Sequence, residues 1–154
     1  MLSSIFSHTT VLARPGPFRI TGVLAIIAGG MLSAVLAHAP TRPVMWLVAY
    51  LVLVVGVAQI ALGDGQVRLA SPPVSRALLA SQWLLFNGGN GLVMAGRLLA
   101  CPAAIAAGAL ALATALVLFL RGVRGAGGGW LRYAYRLLVV LLGCSALVGA
   151  GLSI

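Results

Sequence analysis

Carboxylates are almost absent from this chain. Asp64 is its single acidic residue, and the ten basic residues are all arginine, with no lysine among them. One carboxylate cannot supply the paired acid and base of two-carboxylate catalysis. Cysteine and histidine are scarce too, at two each. Cys101 and Cys144 form no CxxC pair, which excludes a thiol-disulfide motif and a zinc module. Charged residues of any kind make up only 7% of the 154, against 62% hydrophobic, at a mean hydropathy of +1.14. A soluble domain of that composition would have too little polar surface to cover its core. There is no P-loop, no GxGxxG after a strand and no HExxH. Ser/His/Asp catalysis fares no better, because His38 and Asp64 belong to opposite faces of the expected membrane domain. No active site contained in this single chain is expected.

What the chain does have is long apolar stretches separated by arginine, proline and glycine. They predict an all-α integral membrane protein, a bundle of about five transmembrane helices. A polar tail occupies residues 1–19 and a single helical domain residues 20–154, with spans near 20–39, 44–62, 78–100, 102–120 and 137–154. Each is close to the roughly 20 residues that cross a bilayer. The first has the layout of a secretory signal peptide, ending in Ala37-His38-Ala39. Its long apolar core and Pro40, just past the would-be cut, favour a retained helix. Gly63-Asp64-Gly65 reads as the stop of the second span, with Asp64 in a loop beside Arg68 and Arg76. Pro102 sits at a favoured first-turn position of the fourth.

The arginines choose the sides. Arg14, Arg19, Arg68, Arg76, Arg121, Arg124, Arg132 and Arg136 fall on one face, and only Arg42 and Arg97 on the other. The positive-inside rule then places the N-terminus in the cytoplasm and the C-terminus outside, in what is expected to be a bacterial inner membrane. On a soluble protein this charge would point to nucleic acid. Here Arg121, Arg124, Arg132 and Arg136, with Trp130, are expected at lipid headgroups. Tyr133 and Tyr135 join them at the cytoplasmic interface and Trp46 lies at the outer one.

Helix association in lipid relies on close backbone approach and interhelical hydrogen bonds. Rows of small residues at four-residue spacing mark such faces: Ala25, Gly29, Ser33 and Ala37; Ala103, Ala107, Ala111 and Ala115; Ser145, Gly149 and Ser153. The third span stands apart. Gln82, Phe86, Asn90 and Arg97 share one stripe, Asn87 points off it, and Gln59 on the second span falls at a depth where it can meet Gln82. These amides are read as helix-to-helix glue or, alternatively, as a polar intramembrane site, with Gly88, Gly89 and Gly91 letting the helix unwind. Arg97 is expected to snorkel to the headgroups, or else to contact an anion.

A second constellation follows from the topology. His38, Met45, Met94 and Cys101 all fall in the outer part of the membrane, and such ligands suit copper(I). They are also ordinary apolar fillers. His8 and His38 lie on opposite sides, so bis-histidine haem within one subunit is not expected, which leaves a single His38 ligand as the haem reading. No cofactor is predicted outright, and copper or haem are the weaker alternatives.

The leading functional expectation is a non-enzymatic accessory or assembly subunit of a larger inner-membrane complex, with a membrane-protein partner or a second copy of itself. The alternative is a small oligomeric transporter or channel using Gln59, Gln82, Asn87, Asn90 and Arg97.

Overall fold

The computed structural model describes residues 16–71, 73–124 and 129–151. Residues 1–15 of the expected polar tail, the glycine-rich stretch 125–128 and Ser153 lie outside them, while residues 17–19, also expected in the tail, belong to the first helix. Within them the chain is helical throughout, as five helices: α1 (Pro17–Val35), α2 (Arg42–Leu69), α3 (Arg76–Leu98), α4 (Pro102–Gly122) and α5 (Trp130–Gly151). By length and composition α1, α2 and α4 are long and apolar enough to cross a membrane. The 23 residues of α3 have the length, but its amides, glycines and two arginines hold its hydropathy down. Helix α5 opens with Arg132 and Arg136 in its first two turns.

Local sequence explains most helix ends. Pro17 and Pro102 start α1 and α4 at positions where a missing N–H costs nothing. The Ser75 hydroxyl caps α3 by accepting from the Leu78 N–H at 3.3 Å. At the other end of α3, Ala100 takes the left-handed conformation (φ 50°) while the Cys101 N–H reaches back to the Gly96 carbonyl at 2.8 Å. That is a Schellman closure built without glycine.

Several boundaries depart from expectation. Helix α5 begins at Trp130 and not near residue 137, so Arg132 and Arg136 stand on a helix rather than in the loop before it. Gly63-Asp64-Gly65 does not stop the second helix, which continues to Leu69. Both glycines are there for close packing. A Cβ on Gly63 would lie 2.6 Å from Phe18, and one on Gly65 would lie 2.6 Å from the Tyr135 ring. Asp64 is therefore on a helix, half-buried, rather than in a loop. Helix α1 likewise ends at Val35, so that His38 lies in the turn to α2.

Close glycine contacts fix two antiparallel hairpins. In the first, Gly22 on α1 faces Gly56 and Ile60 on α2, and Gly29 faces Val52. In the second, Gly89 on α3 and Gly108 on α4 are so near that a Cβ on either would meet the other's carbonyl oxygen, at 2.9 and 2.7 Å. The small-residue rows are thus right in kind and partly wrong in register. On α1 the buried face is Gly22, Ala25 and Gly29, while Ser33 and Ala37 are exposed. On α4 it is Ile105, Gly108, Ala109, Leu112, Ala115 and Phe119, so Ala103 and Ala107 point away from the bundle.

The irregular backbone is not where the glycine cluster of the third span would put it. Helix α3 runs unbroken through Asn87-Gly88-Gly89-Asn90-Gly91. Instead α2 widens into a π-helix from Leu51 to Ala58, the segment gripped by α1 through Gly22 and Gly56. Long π stretches are rare and concentrate at functional sites.

The two hairpins and α5 meet through large side chains. Phe119 packs against Phe18 (ring centroids 5.1 Å) and edge-on against Phe86 (6.3 Å). Leu62, Tyr135 and Val139 complete this core. Tyr135 is a core residue and not an interfacial one: it is buried, with its hydroxyl donating to the Leu62 carbonyl at 3.3 Å.

Candidate functional site

Four buried amides, Gln59, Gln66, Gln82 and Asn90, line the seams between helices. Sequence reasoning finds three of them. It misses Gln66, which falls beyond the expected stop at Gly63-Asp64-Gly65. The available signal is its seven-residue spacing from Gln59, which puts both on one helical face.

Gln59 and Gln82 do not meet. The Gln59 side-chain amide donates to the Thr21 hydroxyl, which also accepts from the Trp83 indole N–H at 3.4 Å and donates to the Pro17 carbonyl at 2.8 Å. Thr21 thereby joins α1, α2 and α3. Gln82 donates to the Leu118 carbonyl on α4 at 3.0 Å. Its neighbour across the bundle is Gln66: the side-chain nitrogens of both face the position where Gly122 has no Cβ. Both polar atoms of Gln66, and the amide oxygens of Gln59 and Gln82, are buried without a hydrogen-bond partner. Such groups are costly in an apolar interior and mark places where a ligand or water belongs.

Toward the other end of the bundle, the Tyr50 hydroxyl donates to Asn90 Oδ1 at 2.8 Å, while Asn90 Nδ2 donates to the Phe86 carbonyl at 2.8 Å. Tyr50, stacked on Trp46 at 5.0 Å, is a second residue that sequence reasoning misses. Asn87 turns away as expected and bonds only to the Trp83 carbonyl of its own helix, at 2.9 Å.

Two cavities bracket this polar seam. One, of about 390 Å³, has Trp46, Tyr50, Phe86, Arg97, Leu116 and Ser145 among its lining residues. The other, of about 330 Å³, lies at the opposite end and is lined among others by Phe18, Arg19, Asp64 and Gln66. Phe86 lines the first and Phe18 the second, and Phe119 touches both rings.

The four residues considered as copper ligands share one end of the bundle. His38, Met45 and Cys101 are exposed and Met94 is half-buried, all at the end carrying the α1–α2 and α3–α4 turns. Among the described residues no three His, Cys, Asp or Glu side chains gather as metal ligands. At the opposite end Arg121, Arg124, Trp130 and Arg136 are exposed, while Arg132 donates to the Arg124 carbonyl at 3.4 Å. The chain matches no family model, no curated protein and no solved structure.

Proposed function

We propose that this is a five-span integral protein of the bacterial inner membrane, N-terminus inside and C-terminus outside, and that it works as a small transporter or channel without catalysis of its own. One observation carries the reading: two cavities at opposite ends of the bundle, one lined by Phe86 and the other by Phe18, with Phe119 in contact with both rings. On this reading the three rings close a path between the cavities, and a shift of Phe119 opens it. Gln66 beside one cavity and Tyr50 with Asn90 beside the other offer donors and acceptors without charge. The π-helical part of α2 between Tyr50 and Gln59 supplies backbone able to change register.

Thiol accessibility tests this whatever the solute is. In a background lacking Cys101 and Cys144, Leu116→Cys and Gln66→Cys should each react with a small water-soluble methanethiosulfonate, and from opposite sides of the membrane. Adding Phe119→Ala should let the reagent cross the barrier. Inertness of both positions from either side would sink the reading. The accessory-subunit reading keeps one supporting observation, the exposed Ala103 and Ala107 edge of α4. A stable complex with another membrane protein in mild detergent, with Leu116→Cys inert, would favour it.

A further inference from the structure

The larger cavity is unequal along its length. Its walls are mostly aliphatic, contributed by Val54, Val93, Leu112, Leu116 and Leu142. Its polar groups belong to Trp46, Tyr50, Arg97 and Ser145. Arg97 is exposed and lies in the last turn of α3, so the only charge lining the cavity among the described residues stands at the end where α3 finishes. From Ile105 to Leu116, both lining residues on α4, is roughly 16 Å at the helical rise of about 1.5 Å per residue. Phe86, which lies edge-on to Phe119, lines the cavity at the end away from Arg97. At about 390 Å³ the volume lies within the roughly 300–1,000 Å³ of small-molecule sites, which is narrow for a two-chain lipid.

We propose that this cavity binds a single-chain anionic amphipath, with its carboxylate or phosphate head on the Arg97 guanidinium and its alkyl chain running between α2, α3, α4 and α5 toward Phe86. The planar guanidinium fork matches either oxyanion head with two parallel hydrogen bonds. Trp46, near the start of α2, stands at the same end of the bundle as Arg97, where a ring with an apolar body and a polar edge suits the boundary between headgroup and chain, and Tyr50, stacked on it, lies one turn further in beside Asn90. Among the described residues no other cationic side chain lines this cavity. The inference shares its cavity with the passage proposed above, but it is read by binding and not by flux, so either can fail while the other stands.

Trp46 in the wall supplies the readout. The full chain in zwitterionic nanodiscs is titrated with bromododecanoic acid, a quencher of indole fluorescence. Quenching should saturate, should disappear in Trp46→Phe and should persist in Trp130→Phe. Unlabelled dodecanoic acid or dodecyl phosphate should displace the probe, the preferred head identifying carboxylate or phosphate as the natural chemistry. Dodecanol should be at least tenfold weaker. Arg97→Gln should weaken binding at least tenfold, and Arg97→Lys, which retains the charge, much less. Arg97 is exposed, so neither variant removes core packing. Quenching that rises without saturation, that is unchanged in Arg97→Gln, or that dodecanol displaces as well as the acid does would overturn the proposal.

Discussion

The Tyr50 hydroxyl and the Asn90 amide oxygen, forty residues apart in sequence, are joined by a 2.8 Å hydrogen bond from α2 to α3. It is a side-chain bond across the seam between the two hairpins, beside the larger cavity. Tyr50→Phe should therefore lower stability by roughly 0.6–2 kcal/mol, the range for such bonds inside membranes. Asn87→Leu should change it little, since Asn87 bonds only within its own helix. Thermal unfolding in detergent checks both, and a Tyr50→Phe/Asn90→Leu cycle without coupling would contradict the assignment.

Neighbouring glycines of α3 should behave oppositely. A Cβ on Gly89 would lie 2.9 Å from the Gly108 carbonyl oxygen and 3.1 Å from the Leu112 nitrogen, and main chain cannot easily give way. Gly89→Ala should destabilise by about 1–3 kcal/mol through overpacking. Gly88 and Gly91 face open space. Alanine there should be neutral or stabilising by up to about 1 kcal/mol, because glycine is the poorer helix former. Equal effects at Gly88 and Gly89 would mean that α3 and α4 do not approach as described.

Gln66 carries two buried polar atoms without partners. Gln66→Met removes both and keeps the length of the side chain, so stability should rise by about 1–3 kcal/mol. Gln82→Met loses its bond to the Leu118 carbonyl and should not share the gain. If the amide serves a passage, the stabilised Gln66 variant should also be the less active one, a trade common at functional sites.

Ala100 holds a left-handed backbone (φ 50°) at the α3–α4 turn. That conformation costs an L-residue roughly 1–2 kcal/mol and glycine almost nothing. Ala100→Gly should raise the unfolding temperature, with the gain reduced by the greater freedom of glycine in the unfolded chain.

Orientation is checked with the natural thiols, both free and exposed. In intact cells carrying Cys144→Ser, a membrane-impermeant maleimide should label Cys101. Labelling only after the cells are broken would reverse the proposed topology.

Composition by itself determined the class of object, because 62% hydrophobic residues with one carboxylate leave a bundle of apolar helices as the workable fold. Hydropathy and proline positions anticipated five helices in chain order, though not where α2 ends or α5 begins, and helical periodicity placed Gln82, Phe86 and Asn90 on one face, since each is a property of a single helix. Partners were another matter. That Gln82 lies by Gln66 and not Gln59, that Asn90 takes a bond from Tyr50, and that Tyr135 is core depend on the rotation and depth of one helix against another, which no one-helix pattern encodes. Gly63 and Gly65 make the point locally: in sequence they read as a helix stop, and only the rings of Phe18 and Tyr135 pressed against them explain why the helix continues. The cavities are a tertiary property as well, because each is lined by residues from three or more helices.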